Sequence, residues 1–365
     1  MRPPEVHSLC APLDRSNPTS RANVGVMDRA SLPSLLSKHL SDSRLLDGAR
    51  HVIVACSGGG DSTALLLLLY SLSKKGPPSR SPSSSFDLIA AHVAHGLRGK
   101  AGDADALFVK RLAVSLGLPF ALRSVDVPTH RRKGESLEAA ARRLRYGALL
   151  ALADELGEGT LVATGHTRDD QAETVLLNLS RRSGRSRGGI RPKRDDGVVR
   201  PLLPFSRDEL RTFLGEKDIA WREDETNENE ALLRNRIRRQ VLPGLEARSP
   251  GTGKRLARAA DAWSDRLEGL DRRIDSALTE HGAPLGGPWP RRLFETLGKE
   301  AAGRLLVRAA GRSGAVPGRK QVELILSRLF GGDPSFAGSL AGQRFETGAR
   351  VARLLPSKKS PVRSP

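Results

Sequence analysis

The sequence is short of cysteine, of carboxylates and of long apolar runs, and each shortage excludes something. Only Cys10 and Cys56 occur in 365 residues. Two cysteines build neither a disulfide framework nor a cysteine-based zinc site, and they point to a reducing compartment, the cytoplasm. No apolar run approaches the ~20 residues that span a bilayer, so no membrane partner is expected. Residues 1–26 are rich in Pro, Ser, Asn and Arg and lack the apolar centre of a secretory signal. A disordered extension over 1–30 is expected, with Met27, just ahead of a helical pattern from Leu32, a candidate start. Carboxylates are outnumbered: 41 Asp and Glu stand against 60 Lys and Arg, a net charge of +19. Such an excess favours a polyanionic partner, nucleic acid first among them.

What the chain does have is concentrated after its first apolar strand. Val52 to Ala55 is β-branched and apolar, Ser57-Gly58-Gly59-Gly60-Asp61-Ser62 follows, and Leu65 to Leu69 is leucine throughout. This reads as a buried strand, a tight turn and a helix. Glycines let backbone amides approach a ligand, and the first N–H groups of a helix are unpaired and partly positive. Together they make an anion site suited to phosphate. Asp61 would repel phosphates unless a Mg²⁺ lay between, a cation that takes a carboxylate or two plus phosphate oxygens. The stretch is no Walker loop, which ends in Gly-Lys followed by Ser or Thr; Gly253-Lys254 runs into Arg255. Ser57 to Ser62 resembles the pyrophosphate loop of the PP-loop ATPases. That resemblance implies adenylation with release of pyrophosphate.

Further strands are expected over 86–93, 120–127 and 160–164, with helices over 32–46, 103–116, 136–156 and 169–179. Alternation at this spacing argues an α/β fold with a parallel, Rossmann-like sheet covered on both faces. Ligands then sit at the carboxyl ends of the strands. Two other strand ends carry polar groups: His92-Val93-Ala94-His95, and Gly165-His166 leading to Asp170 and Glu173. Asp170 and Glu173 are three apart and share one face of a helix's first turn. From Asn178 to Arg200 the chain holds eight Lys and Arg against two Asp. Such a segment is expected to form no core, and without aromatic residues it suits phosphate contact. Gly184-Arg185-Ser186-Arg187-Gly188 inside it matches a hydrolase pattern but follows no strand. Ser206 to Leu210 is a helix-capping signature, and Arg234, Arg236, Arg238 and Arg239 can coat one helix side. Pro250 to Gly253 marks a boundary. The expected organisation is an ATP-binding catalytic domain over 31–248, a smaller helical domain over 249–350 and a basic tail over 351–365.

Taken in order, the loop at 57–62, His95-Gly96-Leu97-Arg98, Glu138 to Arg142 with Arg145-Tyr146, Gly165 to Glu173, Asn178 to Arg181, Pro201-Leu202-Leu203, Trp221 to Asp224 and Arg234 to Arg238 resemble the tRNA(Ile)-lysidine synthetase family over roughly residues 48–245. The resemblance implies adenylation of the wobble cytidine of tRNA(Ile) and its displacement by free lysine. It implies ATP contacts at Ser57, Gly58, Gly59, Gly60, Asp61, Ser62, His92, Val93 and Arg142, with Asp61 on Mg²⁺. Asp61, His166, Asp170 and Glu173 become the catalytic set, the last two holding the lysine ammonium. Arg181, Arg185, Arg187, Arg234, Arg236 and Arg238 are expected to meet tRNA, and a homodimer is compatible with the family. The chain departs from the family pattern at Arg182, where Gly is usual, and at Glu225, where Pro is common; the large C-terminal extension of some members is mostly absent. A tRNA thiolase of the same superfamily would rely on paired cysteines. A small-molecule amide synthetase would not need the positive charge. An RNA-binding protein with a vestigial nucleotide site would not need Asp61 and Ser62.

Overall fold

The computed structural model describes residues 31–74, 86–96, 100–180, 189–222, 232–312, 317–333 and 335–356. The expectations for 1–30, for the loop at 76–85, for Leu97-Arg98, for Arg181, Arg185 and Arg187, for the acidic turn after Arg222 and for 357–365 lie outside the described residues.

Five strands form one parallel sheet: β1 (His51–Ala55), β2 (Asp87–Ala94), β3 (Phe120–Ser124), β4 (Thr160–Thr164) and β5 (Val198–Val199), in the order β3-β2-β1-β4-β5. Val52 stands opposite Leu88 on one side and Leu161 on the other. Successive side chains point to opposite faces, so β1 feeds two cores. Val52 and Val54 pack with α1 (Leu32–Ser43), α2 (Gly60–Lys74), α3 (Lys100–Ser115) and α7 (Arg207–Gly215). Ile53 packs with Tyr146, Leu149 and Leu152 of α5 (Leu137–Leu156). The leucine run 65–69 has no polar side because α2 is buried all round, against the sheet, α1 and α7. The connections leave β1 in one direction through β2 and return to its other side at β4. The carboxyl end of β1 is therefore the switch point where such sheets bind ligands.

The basic segment before Pro201 corrects its expectation. Asn178 to Ser180 complete α6 (Arg168–Ser180), and Val198 and Val199 are fully buried as β5, paired to Val162 and Ala163. Two β-branched residues suffice to dock a segment that is otherwise charged.

Beyond residue 231 come α8 (Leu232–Arg236), a π-helical turn (Ile237–Val241), α9 (Leu242–Arg248), α10 (Thr252–Glu280), α11 (Arg291–Gly311) and α12 (Arg319–Phe330). A four-stranded antiparallel sheet accompanies them: β6 (Trp289–Pro290), β7 (Phe336–Leu340), β8 (Gln343–Thr347) and β9 (Val351–Leu355), in the order β6-β9-β8-β7. The expectation of helices alone missed this sheet, and β9 lies inside the stretch expected to be a tail. Its strands are short and half exposed, with Leu340, Phe345 and Ala352 buried under α11 and α12. The boundary at Pro250 to Gly253 is a turn in the chain, not a separation in space. α10 lies along α6, where Gln171 donates to Asp261 at 3.2 Å. Among the described residues no helix is long and apolar enough to cross a membrane.

Candidate active site

The turn after β1 is held by its own serines. Gly58 has φ +92°, a conformation that only glycine adopts without strain. Ser62 Oγ donates to the Gly59 carbonyl at 3.0 Å and accepts from the Ser57 amide at 3.2 Å. Ser57 Oγ lies 3.2 Å from Ser62 Oγ and accepts from the Gly59 amide at 3.3 Å. The ring of contacts fixes the loop at the start of α2. Trp221 and Arg222 close one side: the Arg222 amide donates to the Gly58 carbonyl at 3.0 Å, and a β-carbon built on Gly60 would lie 3.4 Å from the Trp221 ring. Arg222 also pairs with Asp105 of α3. His92, buried at the end of β2, donates through Nδ1 to the Cys56 carbonyl at 2.8 Å. That bond ties β2 to the residue before the loop. Val93 is buried in the α5-side core. Cys56 is buried beneath the loop, and burial pushes its thiol up to about 12.

The turn after β4 is wedged against this loop. A β-carbon on Gly165 would stand 3.1 Å from the Asp61 backbone, so any larger residue would have to push the two turns apart by a few tenths of an ångström. α6 then begins, and its first turn carries the carboxylates. Asp170 Oδ2 accepts from the Thr167 amide at 2.8 Å and hydroxyl at 3.0 Å. Asp169 instead accepts from the Arg207 amide at 2.8 Å. That contact and the capping box of Ser206 with Glu209 set the first turn of α7, which places Arg207 over α6.

Arg207 is the hub. Its guanidinium donates to Glu173 Oε1 at 2.9 Å and to Asp61 Oδ2 at 3.3 Å, and it also pairs with Asp170 Oδ1. Glu173 is 0% exposed and takes further bonds from Arg234 Nε at 3.1 Å and from Arg238 Nε and Nη2 at 2.7 and 3.2 Å. Arg234 and Arg238 also stand 3.6 Å from Asp170. The π turn at Ile237–Val241 sits in the stretch that delivers them; Arg236, between them, is exposed to solvent. Two of the arginines expected to contact tRNA, Arg234 and Arg238, therefore pair with the carboxylates while keeping part of their surface exposed.

Burial raises Asp61, and the Arg207 charge only partly opposes it. Burial also acts upward on Asp170 and Glu173, but the arginines win and both are lowered. Both are ionised at neutral pH. Burial depresses His166 most. Asp170 opposes that effect and Arg200, Arg142 and Arg145 add to it, leaving His166 at about 3. Its imidazole, 2.9 Å from Thr164 Oγ1, is neutral at physiological pH. Arg142, on α5, is exposed and lies over Tyr146, with its Nη2 3.4 Å from the phenol oxygen.

The structure thus brings Asp61, His166, Asp170 and Glu173 together across the switch point with the loop at 57–62. A model of the PP-loop domain family matches residues 31–245. The chain belongs to the ATP-binding PP-loop family. ATP use follows from that membership. This PP-loop protein is 40% identical over 265 residues to a tRNA(Ile)-lysidine synthase of Thermus thermophilus, covering 67% of this chain and 50% of that one. It is 40% identical over 199 residues to that of Geobacter sulfurreducens, covering 54% and 42%, and 44% over 178 residues to that of Solibacter usitatus, covering 48% and 39%. The chain spans about half the length of the curated relatives it matches. Among solved structures it is similar to the U34-tRNA thiolase NcsA of Methanococcus maripaludis with its [4Fe-4S] cluster. That TM-score is 0.51 at 17% identity, over 62% of this chain and 77% of that one, a likeness of fold.

Sequence reasoning missed Arg207, Arg200 and Trp221 as parts of the site. Arg207 was visible only as a residue inside a capping signature. Its partners lie 34 and 146 positions away, and no local spacing links them.

Proposed function

We propose that the protein is an ATP-dependent tRNA(Ile)-lysidine synthetase acting in the cytoplasm. The observation that carries this reading is the placement of the serine-glycine loop at 57–62 directly against the Asp170–Glu173 carboxylates, with Arg207 bridging both to Asp61. A nucleotide site and an ammonium site then share one floor. The names of the relatives support the same substrate, and the net charge of +19 suits tRNA.

The C2 oxygen of the wobble cytidine attacks the α-phosphorus of ATP, and pyrophosphate leaves. The C2 carbon then carries a phosphoester leaving group. The neutral ε-amine of lysine attacks it, AMP departs and one proton is lost. In this reading the amides of Gly58 to Gly60 and the hydroxyls of Ser57 and Ser62 hold the pyrophosphate, with the backbone at His92 and Val93 bordering adenine. Asp61 is 30% exposed at the mouth of the loop. One such carboxylate fits a Mg²⁺ that takes its remaining oxygens from phosphates, and among the described residues no all-protein metal cluster competes. Asp61 would hold that ion, which would supply positive charge against the developing charge on pyrophosphate.

Asp170 and Glu173 bind the lysine ammonium. The arginines already satisfy both, so the ammonium exchanges with one of them. Arg234 and Arg238, 35% and 40% exposed, are the ones at the rim. His166, depressed to about 3, is too weak a base to take the ammonium proton and serves as a hydrogen-bonding group between the two substrates. Arg181, Arg185, Arg187 and the exposed Arg236 contact tRNA phosphates. Residues 249–350 form a tRNA-binding part, which α10 brings beside α6.

A thiolase chemistry resting on paired cysteines has no counterpart here, since Cys56 is buried and Cys10 is the only other. The test is incubation with ATP, labelled lysine and total tRNA. Label entering RNA with one AMP released per lysine is expected. ATP–pyrophosphate exchange without tRNA, and no label in RNA, would turn the reading to a small-molecule synthetase.

A further inference from the structure

Gln171 is buried beside the carboxylates, and the proposed chemistry gives it nothing to do. It follows Asp170 near the start of α6 and is 1% exposed. Its amide reaches two other parts of the chain. Oε1 accepts from the Ile190 amide, while Nε2 donates to the Ile190 carbonyl at 3.2 Å and to Asp261 Oδ1 of α10 at 3.2 Å. Gly189 lies in the same junction. A β-carbon built there would come 2.2 Å from Gln171 Oε1 and 2.8 Å from the Ala260 β-carbon. Gly189 and Ile190 thus pass between α6 and α10, and a methyl group at 189 has to displace the Gln171 amide and press α10 outward. Arg191 continues the seam, close enough to Asp271 of α10 for their charges to interact.

The junction asks for an amide. One side chain accepts from a backbone N–H and donates to a backbone carbonyl and to a carboxylate. Gln carries both kinds of group, whereas an ionised Glu only accepts. Burial makes each bond matter, because a buried polar group left unpaired is costly. The place of the junction matters as well. Ile190 belongs to the basic segment between Asn178 and Arg200, α6 carries Asp170 and Glu173, and α10 opens the helical part. One amide therefore joins three regions that the proposed function gives to RNA and to the amine.

We propose that Gln171 is a positioning residue for the RNA substrate. Through Ile190 and Asp261 it holds the basic segment and α10 at a fixed offset from the carboxylates of α6. This rests on the proposed function, in which the basic segment and residues 249–350 hold tRNA and Asp170 and Glu173 hold the amine. Phosphates gripped by the segment and by the helical part are then in register with the amine. A shift at the junction moves RNA against the amine and leaves the loop at 57–62 untouched.

The test compares the full chain with Gln171→Glu, Asp261→Asn, the double variant Gln171→Glu/Asp261→Asn, Asp261→Ala and Gly189→Ala. Thermal melts check folding, calorimetry measures Mg-ATP binding and filter binding measures total tRNA. Gln171→Glu loses both donated bonds and sets two carboxylates face to face, so tRNA affinity should fall roughly tenfold or more with Mg-ATP affinity unchanged. Asp261→Asn keeps an acceptor oxygen and should bind as the parent does. In the double variant the new amide at 261 donates to the new carboxylate at 171, and most of the lost tRNA affinity should return. Gly189→Ala, which breaks the junction from the segment's side, should behave as Gln171→Glu does. If either does not fold, Asp261→Ala, at an exposed position, decides through the same loss toward tRNA alone. Folded variants that bind tRNA as the parent does, or that lose ATP and tRNA affinity alike, would overturn the proposal and leave the junction a packing feature. A parent that binds no tRNA would overturn the proposed function itself, and this inference with it.

Discussion

Two charged clusters act on His166, and they are built on opposite principles. On one side three carboxylates, Asp61, Asp170 and Glu173, meet three arginines, Arg207, Arg234 and Arg238, and the charges cancel. On the other, Arg142, Arg145 and Arg200 surround a tyrosine and nothing described there cancels them. A balanced cluster is preorganised and holds its geometry alone; a ligand must exchange into it. An unbalanced cluster is held against its own repulsion, and a ligand of the right sign relieves it. The difference is one of charge balance, and it can be broken from either side.

The largest expected effect is on turnover. Asp61→Ala removes the carboxylate nearest the phosphate loop and one arm of the Arg207 hub. Lysine incorporation should fall by at least about 10²–10³-fold, the scale of removing one group that stabilises developing charge. tRNA affinity in a filter-binding assay should stay near that of the parent, and an equal loss there would remove Asp61 from the metal role.

Next is the balanced cluster itself. Glu173→Gln leaves three guanidiniums without their shared, fully buried counter-ion. Breaking a buried pair costs about 3–5 kcal/mol, so the urea midpoint should fall markedly. Asp170→Ala, whose residue is hydrogen-bonded by Arg207 while Arg234 and Arg238 stand 3.6 Å away, should destabilise less and raise the lysine KM more than the ATP KM. If only the ATP KM moved, the ammonium site would lie elsewhere.

These effects also mark how far the sequence could be read. The parallel sheet, the loop at 57–62 and α6 with Asp170 and Glu173 follow from local pattern: β-branched runs, glycines and a 3.6-residue period. The Ser206 cap was legible for the same reason. Arg207 was not, because its meaning arises only when α7 folds back over α6. Arg234 and Arg238 read as tRNA contacts on a basic helix side, since nothing in a run of arginines tells which guanidiniums meet carboxylates. β5 was hidden by charge, its two valines standing between Gly197 and Arg200. The small sheet was hidden because β7, β8 and β9 alternate weakly, and because β6 is only Trp289–Pro290 and pairs with the distant β9.

A smaller effect tests the basic segment. Replacing Arg185, Arg187 and Arg191 with Ala should flatten log tRNA affinity against log salt by roughly two to three units if all three touch phosphate. Affinity at three salt concentrations, for parent and variant, measures this. An unchanged slope would take the segment off the tRNA surface.

The smallest effect lies on His166, which both clusters influence. An unfolded imidazole takes its proton near 6.5, whereas the folded one waits until about 3. Between those values the unfolded chain binds one more proton, so stability falls as pH drops from 7 toward 4. The slope from one group is at most about 1.4 kcal/mol per pH unit, and partial exposure of the ring trims it. In His166→Gln that part of the slope should vanish. Urea midpoints at pH 7, 6 and 5 measure it, and parallel curves for parent and variant would mean that the ring titrates normally.

The contact of Gly165 with the Asp61 backbone, where even a β-carbon would come within 3.1 Å, bears on how such a protein changes its substrate. The loop at 57–62 and the turn after β4 are packed closely at this point, so under the proposed function the spacing from leaving group to nucleophile has little room to vary. A descendant that recruited a different amine would keep the frame and exchange what projects from it, at positions 170 and 173 and at the arginines that answer them. Inheritance of the nucleotide half and replacement of the nucleophile half is the route of divergence this geometry leaves open.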